Sequence, residues 1–203
     1  IIEILMENNF IVMILMSYLF GSIPFAYILP KIFGIGDIRN IGSGNVGATN
    51  VLRTGNKVIA VIVLLFDILK GFIPMFLLKN FIFTNDSLII YIIGSLAIIG
   101  HIFPIWLKLK GGKGVATYIG FLLAANYILG IIFILCWLIV AGFKKYSSLA
   151  SIVSLIIIPI FILFLSYDNT IVYLFCLISI IVISKHYSNI LRLLNKTENK
   201  IRF

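Results

Sequence analysis

Six runs of nearly uninterrupted apolar residues, at about 10–32, 58–78, 87–107, 115–143, 149–166 and 170–184, leave this chain few ways to fold. A helix needs about 20 such residues to cross a hydrocarbon layer about 30 Å thick. Only structures that pair every backbone N–H and C=O internally can stand there. The runs therefore predict an all-α, polytopic membrane helical bundle, read as one domain over residues 1–203. Composition agrees, with 62% apolar and 11% charged residues against about 45–50% and 25% in globular chains. That excludes a soluble domain, a disordered chain and a disulfide framework. Cys136 and Cys176 lie within apolar runs and are read as buried small hydrophobes.

The fourth run decides the topology. As one helix, 115–143 would be about 43 Å long, well beyond the bilayer core. Split near Ala125-Asn126-Tyr127, it gives two short spans and seven in all. The loops then sort by charge. Lys31, Arg39, Arg53, Lys57, Lys108, Lys110, Lys113, Lys144, Lys145, Lys185, Arg192, Lys196, Lys200 and Arg202 fall on one side; Lys79 falls on the other with Glu3, Glu7, Asp86 and Asp168. Basic loops face the cytoplasm, so the sequence predicts seven transmembrane helices, N-terminus outside and C-terminus inside. No cleavable leader is read at the start, and Met6 is a candidate initiator. The net charge of +9 is explained by this sidedness, and no nucleic-acid partner is expected.

Polar residues gather on the basic side. Gly42-Ser43-Gly44-Asn45-Val46-Gly47-Ala48-Thr49-Asn50, with Arg53 beyond, combines glycines, neutral donors and a guanidinium fork. Such a loop can bring N–H groups close to a phosphate. Lys110-Gly111-Gly112-Lys113-Gly114 forms a second candidate anion cradle, before a span that starts near Gly114. His186 and Asn189 are three apart at the exit of the last span and share a face if the helix continues. Ser147-Ser148 opens another span; capping is the default reading there, and Ser148 is kept as a substrate-binding candidate. His101 reads equally as a base or as an internally hydrogen-bonded histidine. Asp67 and Lys70, one turn apart inside a span, are read as an ion pair that locks that helix into the bundle. With two histidines and no acidic cluster, no metal and no cofactor is expected.

These motifs resemble the bacterial acyl-phosphate:glycerol-3-phosphate acyltransferase family. The resemblance rests on Gly21-Ser22-Ile23-Pro24, Asp37-Ile38-Arg39 with the Gly42–Asn50 run, Gly100-His101 with Phe103-Pro104, Lys110 to Thr117, and the tail from His186 through Asn189 to Glu198. It covers nearly the whole chain in order. Leu109, Lys185, Tyr187-Ser188 and Lys196 depart from the pattern, outside the glycine loops. The resemblance implies a seven-helix enzyme of the bacterial cytoplasmic membrane, with its site facing the cytoplasm. Such an enzyme moves a fatty acyl group from acyl phosphate to the 1-hydroxyl of glycerol 3-phosphate, giving lysophosphatidic acid.

The chemistry of the residues fits, since both reactants are phosphorylated and the donor is already activated. Positioning and charge neutralisation then carry catalysis without ATP. The expected roles follow from resemblance and chemistry together. Arg53, Lys113, His186 and Asn189 hold glycerol 3-phosphate, and Ser43, Asn45 and glycine N–H groups orient the donor. Gly42, Gly44, Gly47, Thr49, Asn50, Gly111, Gly112, Gly114 and Ser148 complete the substrate-binding set. The hydroxyl proton has two candidate acceptors, His186 and a substrate phosphate with a second pKa of about 6. The lack of a carboxylate to orient the histidine favours the phosphate. The rival reading is a small transporter of organophosphate anions, which would show inverted repeats; none is evident here.

Overall fold

The structure, a computed structural model, describes residues 2–81 and 86–201, with side chains from residue 10 onward. The expectations for Arg202 and for the side chains of Glu3, Met6 and Glu7 lie outside the described residues. Every regular element among the described residues is helical: α1 (Ile2–Gly21), α2 (Phe25–Ile32), α3 (Ala48–Leu52), α4 (Lys57–Phe81), α5 (Ser87–Ile102), α6 (Val115–Ala125), α7 (Tyr127–Lys144), α8 (Ser147–Phe164), α9 (Asn169–Ser184) and α10 (Tyr187–Leu194), with short 3-10 turns at Ile38–Asn40 and Ile105–Leu107. They form two compact units, Ile1–Ala125 and Asn126–Phe203.

In the first unit α4 packs along α6, and α1 along α5. Small residues permit the first pairing. A Cβ added at Gly71 would fall on the Thr117 carbonyl, and one at Gly120 on the Ile68 carbonyl. Close backbone approach of this kind drives helix association where lipid removes the hydrophobic incentive. Tyr118, Phe121, Met75, Ile98 and Ile102 fill the space between these helices and are fully buried.

The run 10–32, expected as one span, is bent by 44° between α1 and α2. Pro24 has no N–H to continue the ladder. At the break the Ile23 carbonyl accepts from the Phe25 N–H at 3.1 Å and from Lys70 Nζ at 2.8 Å, which is how such a break is tolerated within a membrane. Lys70 also pairs with Asp67 on its own helix, Nζ to Oδ1 2.8 Å, with both side chains buried. The expected lock therefore exists, and it fastens α4 to the α1–α2 break.

The split of 115–143 falls where charge placed it. Asn126 accepts from the Ile128 N–H at 3.0 Å and donates through Nδ2 to the Tyr167 hydroxyl at 2.8 Å, so α7 starts afresh. Lys79 Nζ caps the Ala125 carbonyl at 2.7 Å. Among the described residues, four helical stretches are long and apolar enough to cross a membrane alone, or up to six spans if each bent pair counts as one. The 11 residues of α6 fall short of that length.

In the second unit α8 packs against both α7 and α9, and Trp137 Nε1 donates to Ser151 Oγ at 3.1 Å. Two expectations are corrected here. The last helix does not continue through His186: α9 and α10 meet at 64°, because the chain turns at Lys185-His186. Cys136 and Cys176 are half-buried rather than buried. Their helices turn large residues such as Leu135, Leu138, Ile139, Tyr173, Leu177 and Ile180 outward, a surface suited to hydrocarbon rather than water.

Candidate active site

The first glycine loop is built around Asn50, a 1% exposed side chain at the start of α3. Its Nδ2 donates to the carbonyls of Ile38 and Ile41 at 3.0 and 2.9 Å. Its Oδ1 accepts from the Ser43 N–H at 2.9 Å and the Ser43 hydroxyl at 3.2 Å. An amide has two donors and two acceptor positions, so the loop takes up all four. Gly42 and Gly44 flank Ser43 with φ of +56° and +69°, a conformation open to glycine and costly for other residues. Ser43 is thus presented at the surface of a tight turn, and the exposed Arg53 follows one turn after Asn50. A Cβ at Gly42 would meet Asn50 Oδ1 and Arg53 Cδ, so the turn and the guanidinium stem are neighbours. Asn45, Gly47 and Thr49 lie on the same loop, half-buried. The Arg39 guanidinium beside Asp37, Nη2 to Oδ2 2.6 Å, holds that carboxyl at about 2.

The second loop lies on the end of α5. Gly111 N–H donates to the Ile102 carbonyl at 3.1 Å and Gly112 N–H to the His101 carbonyl at 3.2 Å. A Cβ at Gly112 would collide with His101 Nε2 and with the Val46 carbonyl. The two glycine loops therefore touch, with Val46 of the first and Gly112 of the second pressed together beside His101. Lys113, half-buried, stands at this junction, and Gly114 at φ +89° turns the chain into α6.

The second unit holds the remaining expected residues. His186 is 2% exposed, Asn189 4% and Ser148 4%. His186 Nδ1 lies 2.8 Å from the Val182 carbonyl. A carbonyl only accepts, so the neutral ring carries its proton on Nδ1 and leaves Nε2 as the basic nitrogen. Glu198 went unassigned in the sequence reading, and it joins the others. Its Oε1 accepts from Ser148 Oγ at 2.8 Å and Asn189 Nδ2 at 2.7 Å, and its Oε2 from Arg192 Nε at 2.7 Å. Burial pushes the Glu198 carboxyl up, but the hydrogen bonds from Arg192, Asn189 and Ser148 prevail and hold it below the usual carboxylate value. Glu198 is the one acid in the basic tail after residue 184, and that was the signal for it.

Among the described residues no cluster of His, Cys, Asp and Glu is placed to hold a metal. The first unit by itself offers anion chemistry, with two glycine turns in contact, Lys113 on one and the Arg53 stem beside the other; in the second unit Asn189 and His186 are each oriented by a hydrogen bond.

Comparison with known proteins shows the family. The family model described as Glycerol-3-phosphate acyltransferase matches residues 11–196. A glycerol-3-phosphate acyltransferase of Bartonella quintana is 50% identical over 194 residues, covering 92% of this chain and 89% of the relative. One from Pelagibacter ubique is 45% identical, covering 96% and 98%. The crystal structure of PlsY (YgiH), an integral membrane glycerol 3-phosphate acyltransferase, in its glycerol 3-phosphate form superposes with a TM-score of 0.89 at 37% identity, covering 96% of each chain. Its lysophosphatidic acid form superposes with a TM-score of 0.86 at 35% identity. By sequence and by structure, this chain belongs to the glycerol-3-phosphate acyltransferase family.

Proposed function

We propose that this chain transfers a fatty acyl group from acyl phosphate to the 1-hydroxyl of glycerol 3-phosphate, giving lysophosphatidic acid. The reaction takes place at the cytoplasmic face of a bacterial plasma membrane. The observation that carries the reading is the contact of the two glycine loops at Val46 and Gly112, of which the second carries Lys113 and the first has the Arg53 stem beside its Gly42. Its relatives' names and the two substrate-related forms of the solved structure support it. In this reading residues 1–203 act as one catalytic domain crossing the membrane seven times, with the short α6 as the fourth span, N-terminus outside and C-terminus inside.

Arg53, Lys113, His186 and Asn189 hold glycerol 3-phosphate. Ser43, Asn45 and the N–H groups around Gly42, Gly44 and Gly47 orient the donor, and Thr49, Gly111, Gly112 and Gly114 shape the cradles. Asn50 and Ser148 act from behind, through Ser43 and Glu198 respectively. The 1-hydroxyl oxygen attacks the acyl carbonyl carbon, the carbon–oxygen bond to phosphate breaks, and inorganic phosphate leaves. The hydroxyl proton passes to a phosphate oxygen, whose second pKa of about 6 makes it a workable acceptor near pH 7. Developing negative charge on the carbonyl oxygen is met by fixed N–H dipoles and cations.

The test uses purified full-length protein in lipid nanodiscs, given acyl phosphate and labelled glycerol 3-phosphate without ATP or acyl carrier protein. Labelled lysophosphatidic acid is the expected product, and Lys113→Ala lowers its rate by about 10²-fold or more. Folded protein that makes none, or that carries labelled glycerol 3-phosphate into liposomes unacylated, overturns the reading in favour of a transporter.

A further inference from the structure

Three buried ionisable side chains have no part in the roles above: Asp67, Lys70 and His101, exposed by 1%, 2% and 7%. They form a line across the first unit. Lys70 Nζ reaches the Ile23 carbonyl at the α1–α2 break and the Asp67 carboxylate at 2.8 Å each. Asp67 Oδ1 faces His101 Nδ1 at 3.7 Å, a contact longer than a hydrogen bond. The other edge of the ring, Nε2, lies against the Cα of Gly112, where Val46 also presses. The His101 main chain holds the same glycine through its carbonyl. His101 thus touches the second glycine loop twice, at the point where the first loop meets it.

A narrow cleft of ≈ 10 Å³, room for about one water, adjoins this point, lined by Ser22, Phe25, Asp67, Lys70, His101 and Gly112 among others. The imidazole is therefore closely confined, with Asp67 at its Nδ1 edge and Gly112 at its Nε2 edge. The anchored carboxylate of Asp67 keeps it turned toward Gly112. Lys70 and the Ile23 carbonyl in turn hold that carboxylate to the helix break.

We propose that His101 is a positioning residue for glycerol 3-phosphate binding: its imidazole, held by Asp67, is the wedge that sets the spacing of the two glycine loops and so the placement of Lys113. The proposal rests on the assignment of Lys113 to glycerol 3-phosphate made above. It needs no proton transfer at His101.

Kinetics of the full chain in nanodiscs test it, with KM for each substrate and kcat measured separately and folding followed by melting temperature. The geometry separates the two ring nitrogens. In His101→Gln the amide reaches the Nε2 position beside Gly112; in His101→Asn it reaches only the Nδ1 position beside Asp67. The expected result is a KM for glycerol 3-phosphate raised about tenfold in His101→Ala and His101→Asn, and within about threefold of wild type in His101→Gln, with KM for acyl phosphate unchanged. Asp67→Asn, which keeps shape and removes the charge, follows Ala in direction. Equal KM values across folded variants overturn the proposal, as does Asn performing as well as Gln. Failure of all four variants to fold also overturns it, leaving the cluster a structural one. The Lys113→Ala rate stands apart from these: if that variant keeps full activity, the site assignment itself has failed; if it loses activity while the His101 series is flat, only the wedge has.

Discussion

Ser148 and Asn189 both reach Glu198, across 50 and 9 positions of sequence, and the tail is tied to the α7–α8 turn through the Ile201 N–H to the Lys145 carbonyl at 2.7 Å. Removing the charge leaves Arg192 without its partner and two buried groups with a poorer one. Glu198→Gln is expected to cost about 2–3 kcal/mol, read as a lower melting temperature. The pH dependence has a definite sign. The folded-state pKa lies below the usual 4.5, so the stabilisation is complete above that value and fades as pH falls through the folded one. Wild type should lose melting temperature from about pH 4.5 downward, and the Gln variant should start lower and show a shallower acid slope. At this scale the sequence revealed residue types but not all partnerships. Ser43, Arg53 and Lys113 stood out because glycines and donors were adjacent in the chain. Asn50 was read as a ligand contact, whereas all four of its hydrogen bonds serve the loop, and no spacing rule shows where an amide points.

At the scale of elements, the crossing of α4 and α6 depends on two missing side chains. Gly120→Val would drive a branched side chain into the Ile68 carbonyl, and backbone cannot yield as a side-chain tip does. A loss of at least 1–3 kcal/mol is expected, at the upper end of overpacking costs, with reduced yield of folded protein in detergent. Gly142→Ala is the matched control. Nothing lies within 4 Å of its Cβ, so it should be neutral or stabilising by up to about 1 kcal/mol through helix propensity. Size-exclusion profiles and melting curves of the pair check both. The α6–α7 break was legible because loop charge demanded it and Asn126 is a natural cap. The bends at Pro24 and His186 were not, since hydropathy registers apolar length and is blind to which carbonyl finds a partner. The Gly-Ser-Ile-Pro string was the available sign, and Lys70, distant in sequence, makes that bend tolerable.

For the whole molecule, sidedness is the testable consequence of the charge pattern. In a background with Cys136→Ser and Cys176→Ser, single cysteines report the topology through a membrane-impermeant thiol reagent applied to intact cells. Ser166→Cys, between α8 and α9, should label from outside. Lys144→Cys and Asn199→Cys should label only after permeabilisation. Labelling of all three from one side would remove the seven-span arrangement. The all-helical membrane class came from an average quantity, the apolar fraction, which is why it was readable in the sequence. The contact between the glycine loops depends on how α5 ends, and no average contains that.

The placement of Asp67 and Lys70 on a single helix, rather than on two, bears on how the chain enters the bilayer. A lone ionised side chain at mid-membrane costs about 2.5–3.5 kcal/mol during translocon-mediated insertion. Because these two lie one turn apart, α4 carries its own counter-ion from the ribosome onward. Its apolar stretch, residues 58–78, can leave the channel with no net charge before α5 has been synthesised, so that neither Asp67 nor Lys70 faces lipid singly.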